Sequence, residues 1–249
     1  MSFSLVSDKV FLLNGGAGDL VNKENLMTII KKEMKKIVIL MLLVVSLMSV
    51  LLMSAALVRT SGRDLPGSMP DEPVILQISP LAQLQATSCG EAVIVMTYNY
   101  AHPESPLNEA DVIAYASENG YFTEAAEPFT SPKDMVKITR HYTKDYSSGT
   151  VFSSNQGLAL LIRRLENGEP VIIDVQTDLN DPTSGAHFVV VTGVAVDAND
   201  PDLITIYYNN PQTGVNESAM WGGETGIWRS WQNNPDPGGS GWWLVISPS

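Results

Sequence analysis

Residues 83–92 read Gln-Leu-Gln-Ala-Thr-Ser-Cys-Gly-Glu-Ala and contain Cys89, the only cysteine of the 249-residue chain. About a hundred residues later, residues 185–193 read Gly-Ala-His-Phe-Val-Val-Val-Thr-Gly, so that His187 stands directly before an apolar run. A cysteine nucleophile needs a nearby base that generates its thiolate. The two segments therefore predict a thiol-dependent acyl-transfer site formed by Cys89 and His187.

The segment that begins at the cysteine has the pattern of an amphipathic helix. From Cys89 to Tyr100 most of the apolar residues fall on one face, and Thr87 or Ser88 can cap the start. Cys89 would then lie in the first turn. Because a helix N-terminus carries partial positive charge and unpaired amides, we expect this position to lower the pKa of the thiol and to favour the thiolate.

Downstream, three further helices are followed by four short strands. The helices are predicted over residues 109–119, 132 to about 142 and 156–167, and the strands over residues 171–175, 187–196, 203–208 and 243–247. Ser131 caps the second of these helices, whereas Gly120 and Gly168 end the first and the third. Helices first and strands afterwards, without βαβ alternation, indicate an α+β domain.

Gln83 is the candidate for stabilising the oxyanion that forms when a thiol attacks a carbonyl group. It lies six residues before Cys89, close enough to project its amide toward the same site and to act together with the Cys89 backbone N–H. An ordinary turn or surface glutamine is the alternative interpretation, and Gln85 is a competing candidate for the same role.

Of the three histidines, His102 stands in a Tyr-Ala-His-Pro-Glu loop and His141 lies near the end of a predicted helix, and neither has a motif around it. His187 stands at the mouth of a predicted buried strand, where a rigid element can hold a base. Its orienting partner is expected at the end of the next strand, at Asn209 or Asn210. Alternation points these two side chains to opposite faces, so that only one can serve, and both are also good turn formers.

The N-terminal part is dominated by Ile37–Val58, 22 residues without a charge and with three serines as the only polar interruptions. This length suffices for a transmembrane helix, and the lysines just before it favour an N-terminus in the cytoplasm. A secretory signal peptide that starts at Met34 is an alternative, and a buried soluble helix is a third. We therefore divide the chain into an N-terminal cytoplasmic or mis-started segment (1–36), an anchor or signal peptide (37–58), a linker (59–73) and a folded domain (74–249).

Charge and composition argue against several classes of function. Residues 1–59 contain seven of the 15 Lys and Arg residues and four of the 27 Asp and Glu residues, so the rest of the chain has a net charge of −15. Such a domain repels phosphate backbones, so no nucleic-acid partner is expected. The simpler interpretation of the negative charge is that it keeps an exported domain soluble. One cysteine cannot form an internal disulfide, and the scattered histidines lack the spacing of metal ligands, so neither a metal nor another cofactor is expected.

A third informative segment, residues 161–175, reads Leu-x-x-x-Leu-Glu-Asn-Gly-Glu-Pro-Val-Ile-Ile-Asp-Val. Together with residues 83–92 and 185–193, it resembles the papain-fold cysteine peptidases related to the double-glycine peptidases that process bacteriocin leaders. The resemblance covers roughly residues 75–247. It implies a papain-like fold in which a helical part carrying the cysteine helix is followed by an antiparallel sheet, here preceded by one N-terminal transmembrane or signal helix.

The resemblance also implies roles for four residues. In that family a Gln supplies the oxyanion hole, a Cys is the nucleophile, a His is the base and an Asp followed by Pro orients the His, which corresponds here to Gln83, Cys89, His187 and Asn210. The chain departs from the family pattern at Ser88, where Asp is usual, at Ala186, where Gly is usual, and at Asn210 itself. Asn orients an imidazole but adds no negative charge that would stabilise an ion pair with the thiolate.

The function implied is hydrolysis of a peptide or amide bond through a thioester acyl-enzyme, with a peptide or protein as substrate. The N-terminal segment adds the expectation of a membrane-anchored protein with an extracytoplasmic peptidase domain, or of a secreted one. A cell-wall amidase, an acyl transferase and a non-catalytic peptide-binding surface module on the same scaffold are the alternatives. The five tryptophans between Trp221 and Trp243 either line a peptide groove or pack the edge of the sheet.

Overall fold

The computed structural model describes residues 72–122 and 129–248 and, outside them, residue 70, three short strands between residues 3 and 22, and the isolated residues 32, 34, 36 and 41. The predicted membrane or signal segment, residues 37–58, lies outside the described residues except for Met41, as does most of the predicted linker. Among the residues that the structure describes, none of the helices has both the length and the apolar character needed to cross a bilayer.

The chain divides into two compact units, residues 1–63 and residues 64–249. In the first unit, strands β1 (Phe3–Val6), β2 (Lys9–Leu12) and β3 (Leu20–Asn22) form an antiparallel sheet in that order. The sequence pattern predicts no element there, because strands of three or four residues are too short to show a hydrophobic period.

The second unit contains helices and strands that are described here by their bounds. The helices are α1 (Cys89–Ala101), α2 (Glu109–Glu118), α3 (Pro132–Tyr142), α4 (Ser154–Glu166) and α5 (Ile227–Asn233). The strands are β4 (Val74–Ile75), β5 (Tyr146–Thr150), β6 (Val171–Gln176), β7 (Ala186–Val196), β8 (Ile204–Asn210), β9 (Val215–Met220) and β10 (Trp242–Ile246).

These strands form one seven-stranded sheet in which neighbouring strands run antiparallel. Its order is β5-β10-β6-β7-β8-β9, and β4 pairs with the second half of β7. This arrangement confirms the predicted combination of helices with an antiparallel sheet. The four predicted strands correspond to β6, β7, β8 and β10, and the three later helices to α2, α3 and α4, whereas β4, β5, β9 and α5 were not predicted.

Alternating side chains of the central strands face two separate apolar cores. On one face of the sheet, Ile172, Phe188 and Val190 pack with α1, α2 and α3, and on the other face Ile173 and Val191 pack with α4 and α5. Because β6 and the middle of β7 are buried on both faces, their sequences are nearly continuous apolar runs. The fold thereby lays α1 directly against β7.

Local sequence accounts for most of the helix starts. The side chains of Asn108, Ser131 and Ser153 each accept a hydrogen bond from the backbone N–H three residues later, as N-caps do. Helix α1 differs, because Ser88 stands at its N-cap position but makes no capping bond. Its hydroxyl contacts the Gln85 carbonyl and the Glu109 carboxylate instead. The predicted position of the cap at Ser88 is therefore confirmed, but the side-chain hydrogen bond expected of a cap is absent.

The tryptophans pack in the two apolar cores: Trp221 and Trp231 belong to one and Trp242 to the other, and Trp228 and Trp243 pack against the first. Trp231 is fully buried, and Trp221, Trp228 and Trp231 contact one another with ring centroids 5.6 to 6.4 Å apart. The Trp231 indole N–H also donates a 2.6 Å hydrogen bond to the Trp242 carbonyl. None of the five tryptophans lines the cavity that contains Cys89, so their role in the described part of the chain is structural packing.

Candidate active site

Gln83, Cys89 and His187 line one cavity of about 420 Å³ between the start of α1 and the start of β7. Cys89 is the first residue of α1, and His187 is the second residue of β7. The helix rests closely on the strand: a Cβ at Gly90 would lie 3.5 Å from a ring carbon of Phe188, and the Phe188 backbone N–H contacts the Cys89 sulfur. Two segments that are distant in sequence thus meet at one site.

The imidazole of His187 is held by Asn210, the last residue of β8. Nε2 of His187 lies 2.8 Å from Oδ1 of Asn210. An amide oxygen can only accept, so Nε2 carries the proton and, in the neutral ring, Nδ1 keeps a free lone pair. Both residues are largely buried, with 5% and 9% of their surfaces exposed. The arrangement leaves Nδ1 as the nitrogen that can take up a proton.

Asn209 does not take part in this contact. Its side chain is fully buried, and its Nδ2 donates to the carbonyl of Ile78 at 3.0 Å while its Oδ1 accepts from Asn216. The sequence left Asn209 and Asn210 as alternative partners of the histidine, and in the structure it is Asn210 that contacts His187. The two neighbouring side chains face opposite sides of β8, as strand alternation requires.

Glu217, a residue that the sequence analysis did not select, binds the other end of the Asn210 amide. Nδ2 of Asn210 lies 3.2 Å from both carboxylate oxygens of Glu217. Glu217 is on β9, which pairs with β8 in a hairpin. The signal available in the sequence was the turn-forming Thr213-Gly214 pair after the strand that ends at Asn210, which can start a returning strand.

The Peptidase_C39 like family matches the chain over residues 75–234, which include Gln83, Cys89, His187 and Asn210. The chain belongs to this family. The predicted resemblance to C39-like, papain-fold cysteine peptidases is thereby confirmed. A search of curated proteins finds no match to the chain.

Burial raises the pKa of the Cys89 thiol to about 12, although the residue is partly exposed to solvent. The backbone N–H groups of Phe188 and Gly90 act in the opposite direction, and the Glu91 and Asp174 carboxyl groups add to the increase. The expectation that the helix N-terminus lowers the pKa is therefore wrong, because desolvation outweighs the nearby amides. Cys89 is thus a neutral thiol at neutral pH.

The imidazole of His187 is neutral as well. Burial lowers the pKa of His187, while the hydrogen bond from its ring to Asn210 and the negative charge of Glu217 act in the opposite direction. A histidine with a lowered pKa is unprotonated at neutral pH. Cys89 and His187, which line the same cavity, thus carry a protonated thiol and an unprotonated imidazole.

Gln83 lines the cavity but uses its amide N–H groups within its own loop. Its Nε2 donates to the carbonyls of Gln85 and Ala86, at 2.8 and 2.7 Å, and its backbone N–H donates to the carbonyl of Pro211, the residue after Asn210. Both amide hydrogens are therefore engaged, and Gln83 Oε1 is buried without a partner in the described chain. Gln85, the competing candidate, is exposed and does not line the cavity.

A pair of carboxyl groups lies beside the same cavity. Asp174 on β6 is fully buried, and Asp236 lines the cavity. Burial and the adjacent Asp236 carboxyl group raise the pKa of Asp174 well above its usual value, and burial also raises the pKa of Asp236. A Cβ at Gly239 would overlap the Asp174 carboxyl group, so the loop that carries Asp236 closely covers Asp174.

Two further cavities lie near the one that contains Cys89. One, of about 400 Å³ and mainly polar, lies on the other side of the histidine and is lined by His187, Asn210, Glu217 and Asp178. The other, of about 650 Å³ and mainly apolar, lies beyond α1 and includes Ile78, Leu81, Tyr100 and Leu107. Within the described residues, no group of three or more His, Cys, Asp or Glu side chains is placed to hold a metal ion.

Proposed function

We propose that this chain is a cysteine peptidase that hydrolyses a peptide or amide bond through a thioester acyl-enzyme. Cys89 is the nucleophile, His187 is the base and Asn210 orients the imidazole. The observation that carries the proposal is the cavity in which Cys89 and His187 meet, with the His187 tautomer fixed by the 2.8 Å contact to Asn210. Membership of the Peptidase_C39 like family supports the same chemistry.

The reaction follows from the protonation states of the two groups. As the Cys89 sulfur attacks the substrate carbonyl carbon, Nδ1 of His187 accepts the thiol proton, because Nε2 is already committed to Asn210. The imidazolium then gives this proton to the leaving amine, and the C–N bond breaks to leave a thioester on Cys89. In the second half, His187 takes a proton from water, which attacks the thioester and releases the acid and the free thiol.

The oxyanion formed in each half-reaction needs donors near Cys89. The backbone N–H of Cys89 belongs to the first turn of α1, whose amides have no carbonyl partner within the helix. We assign the second donor to the Gln83 amide. Because both of its hydrogens are engaged with the Gln85 and Ala86 carbonyls, this role requires the substrate oxygen to replace one of those acceptors.

We also propose that the peptidase domain works outside the cytoplasm, either anchored in the membrane or secreted. The support is the uncharged run of residues 37–58 with lysines before it, together with the acidic balance of the remaining chain. Cell fractionation followed by protease treatment of intact cells tests this. The domain should be digested, or found in the medium, whereas protection of the whole chain inside the cells would refute the proposal.

The catalytic proposal is tested with the purified full-length protein and a peptide library of diverse sequence, with cleavage products identified by mass spectrometry. We expect cleavage by the wild type and by His141→Ala, whose histidine is exposed and stacked on Tyr115 away from the site. We expect none by Cys89→Ala or His187→Ala. Rapid acid quenching should trap an acyl group on Cys89 of the wild type.

Cleavage that survives in Cys89→Ala, or a wild type that cleaves no peptide, would refute the proposed peptidase. Purified peptidoglycan, tested as a second substrate, distinguishes a cell-wall amidase from a peptidase. Release of fragments from peptidoglycan by a Cys89-dependent reaction, without cleavage of any library peptide, would identify an amidase of the cell wall on the same catalytic residues.

A further inference from the structure

We propose that Glu217 is a positioning residue that acts on His187 through Asn210 and supplies the negative charge that the Asn side chain lacks. The inference rests on the proposed peptidase function and extends it by one residue. It is based on the Glu217 carboxylate, which binds the nitrogen end of the Asn210 amide. The ordered chain of contacts is then His187, Asn210 and Glu217.

Glu217 determines which end of the Asn210 amide faces the histidine. Nδ2 of Asn210 contacts both Glu217 oxygens at 3.2 Å, and a carboxylate can accept only from the nitrogen end of an amide. Oδ1 is thereby turned toward His187 Nε2 at 2.8 Å, and it also accepts the Gln212 backbone N–H at 3.0 Å. Without the carboxylate, the amide loses its charged acceptor and keeps only the Gln212 N–H to hold its oxygen beside the histidine.

The carboxylate itself is held in place by hydroxyl donors on the same hairpin. Thr213 Oγ1 donates to Oε1 of Glu217 at 2.6 Å, and the Tyr208 hydroxyl donates to Oε2 at 3.1 Å. Tyr208 and Glu217 are direct cross-strand neighbours in the register of β8 and β9. Each oxygen therefore has a hydroxyl donor in addition to the Asn210 amide, which fixes the position of the group.

Glu217 is negatively charged at neutral pH. Partial burial acts to raise its pKa, but the hydrogen bonds from Thr213, Asn210 and Tyr208 outweigh it and lower the pKa of Glu217. Within the described part of the chain, no Lys or Arg forms an ion pair with this carboxylate. The charge is thus available to the imidazole, and it raises the pKa of His187 against the effect of burial.

This arrangement has a direct consequence for the reaction. His187 becomes an imidazolium when it accepts the Cys89 proton, and a buried imidazolium is costly without a nearby negative charge. An Asp at position 210 would provide that charge in contact with the ring. Here the neutral Asn210 provides the contact, and Glu217 provides the charge from one residue further away.

The test moves the negative charge from position 217 to position 210. In Glu217→Gln the charge is lost while the shape is kept, and Asn210→Asp places two carboxylates side by side. In the double variant Asn210→Asp/Glu217→Gln, the new amide at 217 can donate to the new carboxylate at 210, so that the contact and the charge are both restored. Glu224→Gln, an exposed position on the following loop, is the matched control.

We expect kcat/KM of Glu217→Gln to fall about tenfold or more, within the roughly 10²–10⁴-fold that general acid–base catalysis contributes. The loss should be mainly in kcat, and the acidic limb of the pH profile should move to lower pH because His187 loses the charge that raises its pKa. Asn210→Asp should also be impaired, whereas the double variant should exceed it in kcat/KM by at least tenfold. Circular dichroism confirms that each variant is folded.

A measurement without turnover keeps this test separate from that of the peptidase function. NMR titration of the His187 ring in the full chain, assigned with His102→Ala and His141→Ala, should give a lower pKa in Glu217→Gln than in the wild type, and an unchanged one in Glu224→Gln. An unchanged His187 titration in Glu217→Gln, or a double variant no more active than Asn210→Asp, would overturn the role of Glu217. A wild type that cleaves no substrate would overturn the peptidase instead and leave the titration result standing.

Discussion

The Ser88 hydroxyl donates a 2.7 Å hydrogen bond to Oε1 of Glu109, the first residue of α2. The same carboxylate oxygen accepts the Leu84 backbone N–H at 2.9 Å. Glu109 thereby connects both ends of the loop that leads from Gln83 to Cys89 and ties that loop to a second helix. A hydroxyl donor at the position before Cys89 suits this carboxylate, whereas an Asp at position 88 would place a second negative charge against it.

Glu109→Ala should lower the free energy of unfolding by about 1–3 kcal/mol, because it leaves the Leu84 N–H without its acceptor and the buried Ser88 hydroxyl with only the longer contact to the Gln85 carbonyl. Urea denaturation measures the change. Glu118→Ala, at an exposed position of the same helix, is the control and should change stability by less than about 0.5 kcal/mol. Equal stability of the two variants would show that Glu109 does not hold the loop.

The neutral thiol predicts low reactivity of Cys89 in the resting protein. Its pKa is raised from 9.0 to about 12, so at pH 8 the native chain contains far less thiolate than the unfolded chain. The native thiolate fraction is smaller by roughly 1,000-fold, so iodoacetamide should modify native Cys89 more slowly than Cys89 in urea by up to that factor, as followed by mass spectrometry. Native labelling as fast as in urea would mean that the thiol is activated before substrate binds.

The same pKa difference has a consequence for stability. As the pH rises above about 9, the unfolded chain loses the thiol proton while the folded chain retains it, so ionisation favours unfolding. Cys89→Ala lacks this group, and its stability relative to the wild type should increase between pH 9 and pH 10. A constant difference over that interval would contradict the raised pKa.

Asp174 gives a pH dependence in a lower range. Its pKa is raised well above 3.8 in the folded chain, so the unfolded chain ionises first and the wild type loses stability as the pH rises from about 4. Asp174→Asn removes this effect and should be more stable than the wild type at pH 7 and nearly equal to it at pH 3.

Thermal denaturation at pH 3, 5 and 7 measures the effect of Asp174→Asn. Asp202→Asn, which removes an exposed carboxyl group in the turn before β8, is the control for the substitution itself. A variant that is less stable than the wild type at pH 7 would indicate that the ionised Asp174 carboxylate contributes favourably to the fold.

The parts of the fold that local sequence determines could be predicted from the sequence. Ser131 with Pro132 marks the start of α3, and Gly120, at φ 69°, follows the end of α2 because a residue without a side chain adopts that conformation easily. The apolar residues of β6 and β7 identify strands that are buried on both faces. The chemistry of a thiol that needs a base also predicted that Cys89 and His187 lie at one site, and both line the same cavity.

Features that depend on tertiary packing were missed. Strand β9 is an edge strand with mainly exposed side chains, so its sequence has no apolar alternation, and Glu217 was overlooked with it. The raised pKa of Cys89 results from the protein that surrounds the sulfur, which a helix position alone does not reveal. The contact of Ser88 with Glu109 likewise joins two helices that sequence analysis treats separately.

The role of Gln83 separates into two measurable effects. If its amide donates to the oxyanion, Gln83→Ala should lower kcat by about 10²–10³-fold with little change in KM, because the donor acts on charge that develops only in the transition state. If it serves only to hold the loop through the Gln85 and Ala86 carbonyls, stability should fall and kcat should change little. Gln85→Ala, at an exposed neighbouring position, is the control and should leave both quantities unchanged. We expect the first result, because Gln83 lines the cavity that contains Cys89 and Gln85 does not. A normal kcat in Gln83→Ala would instead assign the oxyanion to the backbone amides of α1 alone.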